Sequence, residues 1–166
     1  MTVTDINLAQ EGDRLAGLLM EQGWSVATAE SCTGGWVAKV LTDRAGSSAY
    51  VYGGLVTYSN EAKKALLGVS EEALREFGAV SELVVRQMVA GTLAATGVDV
   101  AIAISGVAGP GGGSEDKPVG TVWFAWGRGN HETEARLKHF AGDRDAVRRQ
   151  AVSYALQGVS DYLERS

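Results

Sequence analysis

The chain has 166 residues, a formal net charge of −5, 45% hydrophobic and 21% charged residues, and one cysteine. This length is enough to bury about 70% of the unfolded surface in one domain, and the composition argues against a disordered chain. The acidic balance does not favour nucleic acid or an anionic membrane as a partner, and a lone cysteine excludes an internal disulfide.

The amino terminus and the hydropathy of the chain indicate its compartment. The first 14 residues contain neither the basic nor the apolar region of a signal peptide. No uncharged apolar run approaches the ~18 residues that a membrane span needs. A single cysteine is typical of a reducing compartment. These features predict a soluble cytoplasmic protein.

The first part of the chain alternates predicted helices and strands. Leucines recur at helical spacing over residues 6–22, and Gly23 provides a stop. Apolar and β-branched residues predict strands over 24–29 and 49–58, where Gly53-Gly54 indicates a bulge or a close backbone approach. Further helices are predicted at 34–42, at 60–67 with Asn60 as its cap, in a short segment capped by Ser70, and from the cap Ser81 to about Thr96.

The second part contains the strongest strand signal. Residues 99–105, "DVAIAIS", form an uninterrupted apolar run, which is typical of a strand buried on both faces. A glycine-rich loop follows over 106–120. Two strands over 121–127 and 132–140 flank a turn at Gly129-Asn130, and a helix from about Asp143 to Glu164 ends the chain.

This alternation favours one α/β layered domain over residues 1–166, with a mixed β-sheet flanked by helices and a core at about 10–160. Ligands of such domains bind outside the carboxyl ends of strands. Three loops leave strand ends, at 30–35, 58–63 and 106–118, and these are the places where we expect a site.

The first of these loops contains Ser31. If a helix starts near Gly34 or Gly35, the backbone amides of Cys32 to Gly35 point out of its positive end and favour an anion or a developing oxyanion. The alternative is that Ser31 or Thr33 only caps this helix. On the residues alone the cap is favoured, because serine and threonine are common caps.

Activation of Ser31 is not explained by a known motif. No G-x-S-x-G elbow surrounds it, and the only histidines, His131 and His139, lie together on the predicted hairpin. A Ser-His-Asp triad therefore stays open without support. Cys32 is an alternative nucleophile, although a single small cysteine is more often a buried packing residue.

Lys63 in the second loop is a candidate general base. With Asn60 as cap it lies in the first turn, at the wrong end of the helix dipole and beside Leu66 and Leu67, so its charge is disfavoured. Lowering a lysine pKa from ~10.4 to ~7 costs roughly 4 to 5 kcal/mol, and the dipole supplies only about 0.3 to 1 kcal/mol. An exposed Lys63 would be no base, and on the residues alone a solvated lysine is favoured.

The glycine-rich loop carries a weaker signal. No Gly-Lys-Ser/Thr follows its glycines, which excludes a Walker A motif, but the loop could form an amide nest for a phosphate or carboxylate. Ser105 and Lys117 are the candidate side-chain contacts. The basic residues of 143–150 alternate with acids, which is typical of a solvated helix face. No metal-ligand spacing is found in the sequence.

Five stretches together resemble the CinA carboxy-terminal domain family over about residues 10–160. They are, in the order of the family, "TAESCTGGWVAKVLT", "YGGLVTYSNEAKKALLGV", "GAVS", "AIAISGVAGPGGGSEDKPVGTVWFA" and "FAGDRDAVR". The family includes bacterial nicotinamide-nucleotide amidases, which hydrolyse nicotinamide mononucleotide (NMN) to nicotinate mononucleotide and ammonia. The resemblance implies this activity, NMN as substrate, no cofactor, no metal, and a homodimer.

The resemblance also implies roles for single residues. Ser31 matches the nucleophile that is proposed for the family, and Lys63 and Tyr58 match the residues that assist it. The implied substrate-binding positions are Cys32, Thr33, Gly34, Gly35, Ser105, Gly106, Gly109, Gly111, Gly112 and Arg144.

These residues suggest a mechanism as a hypothesis. A neutral Lys63 takes the proton of Ser31, with Tyr58 as a relay, and amides at the start of the 34–42 helix hold the oxyanion. Carboxylates such as Glu30 would face the pyridinium. A non-catalytic nucleotide-binding module and an amidase for another carboxamide stay open as alternatives.

Overall fold

The computed structural model describes residues 2–166, which form six α-helices around one five-stranded sheet. The helices are α1 Asp5–Gln22, α2 Trp36–Asp43, α3 Asn60–Leu67, α4 Glu71–Phe77, α5 Glu82–Thr96 and α6 Arg144–Arg165. The strands are β1 Val26–Glu30, β2 Val51–Val56, β3 Val100–Gly106, β4 Thr121–Arg128 and β5 Glu134–His139. Every predicted helix and strand is present, and a 3-10 turn, Ser47–Ala49, lies in the predicted loop before β2.

The sheet is mixed, as the sequence predicts. Its order is β2-β1-β3-β4-β5, with β2, β1 and β3 parallel and with β4 and β5 antiparallel to their neighbours. The central strand β3 is buried along nearly its whole length, which confirms the strand predicted from the uninterrupted apolar run. The carboxyl ends of β1, β2 and β3 therefore lie at one edge of the sheet.

The two faces of the sheet pack against different helices. On one face Val100, Ile102 and Ile104 of β3 join a cluster with residues of α1, α2 and α6. On the other face Ala101 and Ala103 join a cluster with residues of α4 and α5. The small alanines let α5 lie close to the strands, whereas the larger residues fill the first face. None of the helices described for residues 2–166 is long and apolar enough to cross a membrane.

Strand β2 has both a bulge and a close backbone approach, the two features that Gly53-Gly54 indicates as alternatives. The register between β1 and β2 shifts between Val26 and Ala27, which leaves Tyr52 as an extra residue. A Cβ atom on Gly54 would lie 2.6 Å from Thr28 Oγ1 and 3.0 Å from the side chain of Ala38. The missing side chain at this position therefore lets α2 approach the sheet.

The cap of α3 differs by one residue from the prediction. Ser59, not Asn60, accepts the hydrogen bond from the backbone N–H of Ala62, at 3.0 Å. Asn60 is the first helical residue, so Lys63 is the fourth and not the third. Ser70 and Ser81 cap α4 and α5 as predicted.

A glycine sets the distance between α3 and α5. A Cβ atom on Gly91 of α5 would overlap the backbone of Leu67 at the end of α3. The two helices can therefore approach closely only while residue 91 has no side chain. This contact fixes α3 beside the face of the sheet that α5 covers.

We expect Gly91→Ala to lower the free energy of unfolding by about 1–3 kcal/mol, because the added methyl group forces α3 away from α5. Gly17 of α1 is the matched control, since a Cβ atom there has no neighbour within 4 Å. Gly17→Ala should be neutral or stabilise by up to about 1 kcal/mol through helix propensity. Urea denaturation of both variants measures the difference, and equal effects of the two alanines would contradict the close approach.

Candidate active site

Three strand ends meet at the predicted edge. The backbone N–H of Ser31 donates to the Ile104 carbonyl at 3.0 Å, and the N–H of Thr57 donates to the Glu30 carbonyl at 2.9 Å. These bonds belong to the last residue pairs of the parallel strands, Glu30 with Ile104 and Glu30 with Val56, so the next residue of each chain follows directly at this edge. Consequently Thr57, Ser31 and Ser105 lie side by side at the carboxyl ends of the parallel strands.

A lysine amine contacts the serine hydroxyl at this edge. Lys63 Nζ lies 2.9 Å from Ser31 Oγ, 2.9 Å from the Thr57 carbonyl oxygen and 3.4 Å from the Tyr58 carbonyl oxygen. Lys63 is 1% exposed and Ser31 is 7% exposed. Lys63, in the first turn of α3, therefore contacts the residues that directly follow β2.

The surroundings of Lys63 favour its neutral form. Burial lowers the pKa of Lys63 from its usual value of 10.5. No carboxylate of the described residues lies within ion-pair distance of the amine. In its neutral form the amine can donate its two N–H groups to the carbonyls of Thr57 and Tyr58 and direct its lone pair at the Ser31 hydroxyl. The arrangement is therefore suited to taking a proton from Ser31.

The turn between β1 and α2 does not use Ser31 as a cap. Gly34 and Gly35 adopt left-handed backbone angles, with φ of 61° and 98°, and α2 begins at Trp36 without a side-chain cap. Thr33 Oγ1 donates to Glu30 Oε1 at 2.7 Å instead. The prediction that Ser31 or Thr33 caps this helix is wrong, because the two glycines place the helix start too far along the chain.

Glu30 occupies the anion-binding end of α2. It is fully buried, and its carboxylate accepts from the backbone N–H groups of Val37 at 2.9 Å and Ala38 at 3.0 Å. It also accepts from the hydroxyls of Thr28 and Thr33. A carboxylate at this position is stabilised by the helix dipole and by the free amides of the first turn. It therefore holds the Ser31 turn against α2.

This contact corrects two parts of the predicted mechanism. The amides in the first turn of α2 cannot hold an oxyanion while they bind Glu30, and a buried Glu30 cannot face a pyridinium. The backbone N–H groups of Cys32 and Thr33, by contrast, have no hydrogen-bond acceptor among residues 2–166. These two amides follow the serine directly, which is where an oxyanion hole commonly supplies a donor.

Cys32 is buried in the core and does not resemble an activated thiol. Burial, with a smaller effect of the Glu30 charge, raises the pKa of Cys32 to about 12. Its thiol is therefore protonated at neutral pH and unsuited to attack a substrate. Arg148 holds the backbone of the same turn, since its Nε donates to the Cys32 carbonyl at 3.0 Å and its Nη2 to the Thr33 carbonyl at 3.2 Å.

The family model of the CinA C-terminal domain matches residues 9–163 of the chain. The chain belongs to this family. Nicotinamide-nucleotide amidohydrolase PncC of Escherichia coli K12 is 58% identical over 155 residues, which cover 93% of this chain and 94% of that protein. The protein of the same name from Enterobacter agglomerans is 54% identical over 143 residues, covering 86% and 87%.

Solved structures of the family have the same fold. The competence damage-inducible protein A (ComA) of Klebsiella pneumoniae has a TM-score of 0.91 at 44% identity, with 95% of this chain and 97% of that chain covered. The competence/damage inducible protein CihA of Agrobacterium tumefaciens has a TM-score of 0.91 at 40% identity, with 95% and 96% covered. At these identities the CinA fold can be assigned along nearly the whole chain.

Tyr58 and Arg144 are also named from the CinA resemblance. Their side chains contact each other rather than Ser31 or Lys63. Tyr58 is 61% exposed, and its hydroxyl lies 3.3 Å from Arg144 Nη2. Arg144 Nη1 donates to the Gly109 carbonyl at 2.6 Å. Since Lys63 contacts Ser31 directly, the Tyr58 hydroxyl is not needed as a proton relay. Tyr58 contributes its backbone carbonyl instead.

The glycine-rich loop is shaped by close contacts at some positions and is open at others. A Cβ atom on Gly106 would lie 2.7 Å from Val122 Cγ2, and Gly109 and Gly112 both have φ of 85°. A Cβ atom on Gly111 would meet nothing within 4 Å. Lys117 does not face Ser105, because its Nζ donates to the Phe77 carbonyl at the end of α4. Lys117 therefore holds the loop rather than the site.

The histidines are not part of this site. His131 and His139 are both exposed on the hairpin of β4 and β5, and neither hydrogen-bonds Ser31 in the described structure. Among residues 2–166, no group of three or more metal-ligating side chains is found. Sequence reasoning missed Arg148, Glu30 as an acceptor for α2, and the carbonyls of Thr57 and Tyr58.

Lys63→Met tests the lowered pKa by its effect on stability. At pH values between the folded-state pKa and 10.5, the unfolded chain binds more protons at this lysine than the folded chain does. The free energy of unfolding of the wild type therefore increases with pH in this range. We expect wild type to gain stability relative to Lys63→Met as pH rises from 7 to 10. Urea denaturation at several pH values measures this gain.

Lys64→Met is the control. The pKa of Lys64 is raised by its hydrogen bond to Glu61, so its contribution is lost only above 10.5. The difference between wild type and this variant should stay flat from pH 7 to 10. A flat difference for Lys63→Met as well would contradict a lowered lysine pKa.

Proposed function

We propose that this protein hydrolyses the carboxamide of NMN to nicotinate mononucleotide and ammonia, with Ser31 as nucleophile and Lys63 as general base. The observation that carries the proposal is the 2.9 Å contact between Lys63 Nζ and Ser31 Oγ in a buried setting. The chain is an amidohydrolase, as its high identity to two proteins named nicotinamide-nucleotide amidohydrolase supports. Their similarity over nearly the full length supports the same substrate here.

In the first step Ser31 Oγ attacks the carboxamide carbon while its proton passes to Lys63 Nζ. The pyridinium ring of NMN withdraws electrons from this carbon and makes the attack easier. The N–H groups of Cys32 and Thr33 are the donors available for the oxyanion. Lys63 then gives the proton to the leaving nitrogen, so that ammonia departs and a nicotinoyl ester of Ser31 remains.

In the second step water attacks the ester carbon and passes a proton to Lys63. The second tetrahedral intermediate collapses, the proton returns to Ser31 Oγ, and nicotinate mononucleotide leaves. Two carbonyl oxygens, of Thr57 and Tyr58, receive N–H groups of Lys63 and keep the amine aimed at the serine in both steps. No metal or cofactor enters this sequence of steps.

The remaining part of NMN is expected on the side of the glycine-rich loop. Arg144 joins the Gly109 carbonyl and the Tyr58 hydroxyl, so it can order this loop or bind the ribose phosphate. A groove of about 480 Å³ beside it is lined by residues of the loop and of the start of α6, including Pro110, Val119 and Asp143. The cytoplasmic location and the homodimer stay predictions.

Ser31→Ala should lower ammonia release from NMN by about 10³-fold or more, because no other group can form the ester. Its stability should fall by only about 1 to 2 kcal/mol, since Ser31 caps no helix and its hydroxyl has two hydrogen-bond contacts, with Lys63 Nζ and with the Tyr58 carbonyl oxygen. Ammonia release by purified protein and thermal unfolding measure the two effects. Retention of a tenth of the activity would exclude Ser31 as the nucleophile.

His139→Ala is the control for a different base and should keep wild-type rates, because His139 is exposed and lies on β5, three strands away from β1 in the sheet. Absence of ammonia from wild type, with NMN still raising the melting temperature, would favour a non-catalytic binding module. A higher kcat/KM for another carboxamide than for NMN would favour an amidase of different specificity.

A further inference from the structure

One row of side chains crosses the sheet at the candidate site. The pairing of β1 with β3 ends at Glu30 and Ile104, and the hydrogen bond from the Ser31 N–H to the Ile104 carbonyl belongs to that last pair, so Ser31 and Ser105 are the next residues on the two chains. Ser105 in turn pairs with Trp123 of β4. Paired residues on neighbouring strands point to the same face of a sheet. Ser105 and Trp123 therefore share one face, and Ser31 lies next to Ser105 with its hydroxyl 2.9 Å from Lys63 Nζ.

The packing of the neighbouring residues identifies this face. Ala103 and Ala125, which lie two residues from Ser105 and Trp123, belong to the cluster with α5, and Trp123 packs against that cluster. Phe124 and Trp126 belong to the cluster on the opposite face. The indole of Trp123 is therefore on the same side of the sheet as Lys63, whose helix α3 packs against α5.

Trp123 is unusual among the residues of its strand. It is half-buried, whereas all the other residues of β4 before Arg128 are buried. Ser105 between it and Ser31 is 1% exposed, and its hydroxyl makes no hydrogen bond to another described residue. The row therefore contains a serine in contact with a base, a hydroxyl without a partner, and an aromatic ring that is only partly covered.

We infer that Trp123 recognises the pyridinium ring of the substrate. This inference rests on the proposed function and names the residue that would select its substrate. Neighbouring strands are about 4.8 Å apart, so Trp123 lies two strand spacings from Ser31. A nicotinamide whose carboxamide carbon meets Ser31 extends its ring over Ser105 toward the indole.

The contact with the Trp123 indole would select substrates whose ring carries a positive charge. The pyridinium of NMN carries a positive charge, and indole is the aromatic side chain that attracts cations most strongly. An uncharged ring of the same shape gains the packing but not this attraction. Ser105, with its free hydroxyl beside Ser31, is positioned to hydrogen-bond the carboxamide, so the row would distinguish a charged aromatic carboxamide from a neutral one.

The test compares NMN with benzamide riboside 5′-monophosphate, which has the same carboxamide and phosphate on an uncharged ring. Wild type should prefer NMN, and Trp123→Leu should reduce the ratio of kcat/KM for the two substrates by roughly tenfold. The loss should lie mainly in KM for NMN, with Trp123→Phe between wild type and the leucine variant. Trp24→Phe, at the amino end of β1, should leave the ratio unchanged.

A binding measurement keeps the test valid if the leucine variant does not fold. In Ser31→Ala, which cannot turn over, NMN should quench tryptophan emission. Combining Ser31→Ala with Trp123→Phe should abolish most of the quenching, whereas combining it with Trp24→Phe should retain it. An unchanged substrate ratio, or quenching that persists without Trp123, overturns the inference. Failure of wild type to release ammonia from NMN overturns the proposed function separately.

Discussion

The site depends on the burial of the Lys63 amine without a counter-charge. An ammonium group at 1% exposure would lose its hydration without an ion pair to replace it, so burial lowers the pKa of Lys63. The three oxygens around Nζ come from the ends of β1 and β2. Keeping them in place requires strand ends in register and α3 close to α5. Gly91 therefore affects the position of Lys63 indirectly, because its missing side chain lets α3 lie close to α5.

Glu30 gives the second constraint. The start of α2 attracts an anion, and the chain satisfies it with its own carboxylate rather than leaving it to a ligand. Together with Arg148, which binds two carbonyls of the same turn, this carboxylate fixes the Ser31 turn from both sides. The turn is thus held in place without a substrate, and the amides of Cys32 and Thr33 next to the serine have no acceptor among residues 2–166. Preorganised donors of this kind need no rearrangement during a reaction.

The sequence predicts the elements of the fold and brings together the loops of Ser31 and Lys63, because the carboxyl ends of parallel strands must meet at one edge. The sequence does not predict which hydrogen bonds form at that edge. Ser59 and Asn60 are both good caps, so the start of α3 was ambiguous by one residue. Arg148 lies among alternating charges that also fit a solvated face, and only the packing of α6 distinguishes it. The direction of a backbone carbonyl is not encoded by residue type.

The use of main-chain carbonyls around the amine changes how variation at the site should be interpreted. Two of the three oxygens around Lys63 Nζ belong to the main chain of Thr57 and Tyr58, so any residue that preserves the local backbone supplies them. Substitutions at these positions can leave the environment of the amine intact while altering the outer surface that Tyr58 presents. Sequence comparison of relatives would then count fewer conserved contacts around the lysine than physically exist. Proline at position 57 is the informative exception. The N–H of Thr57 donates to the backbone carbonyl of Glu30, and proline has no backbone N–H.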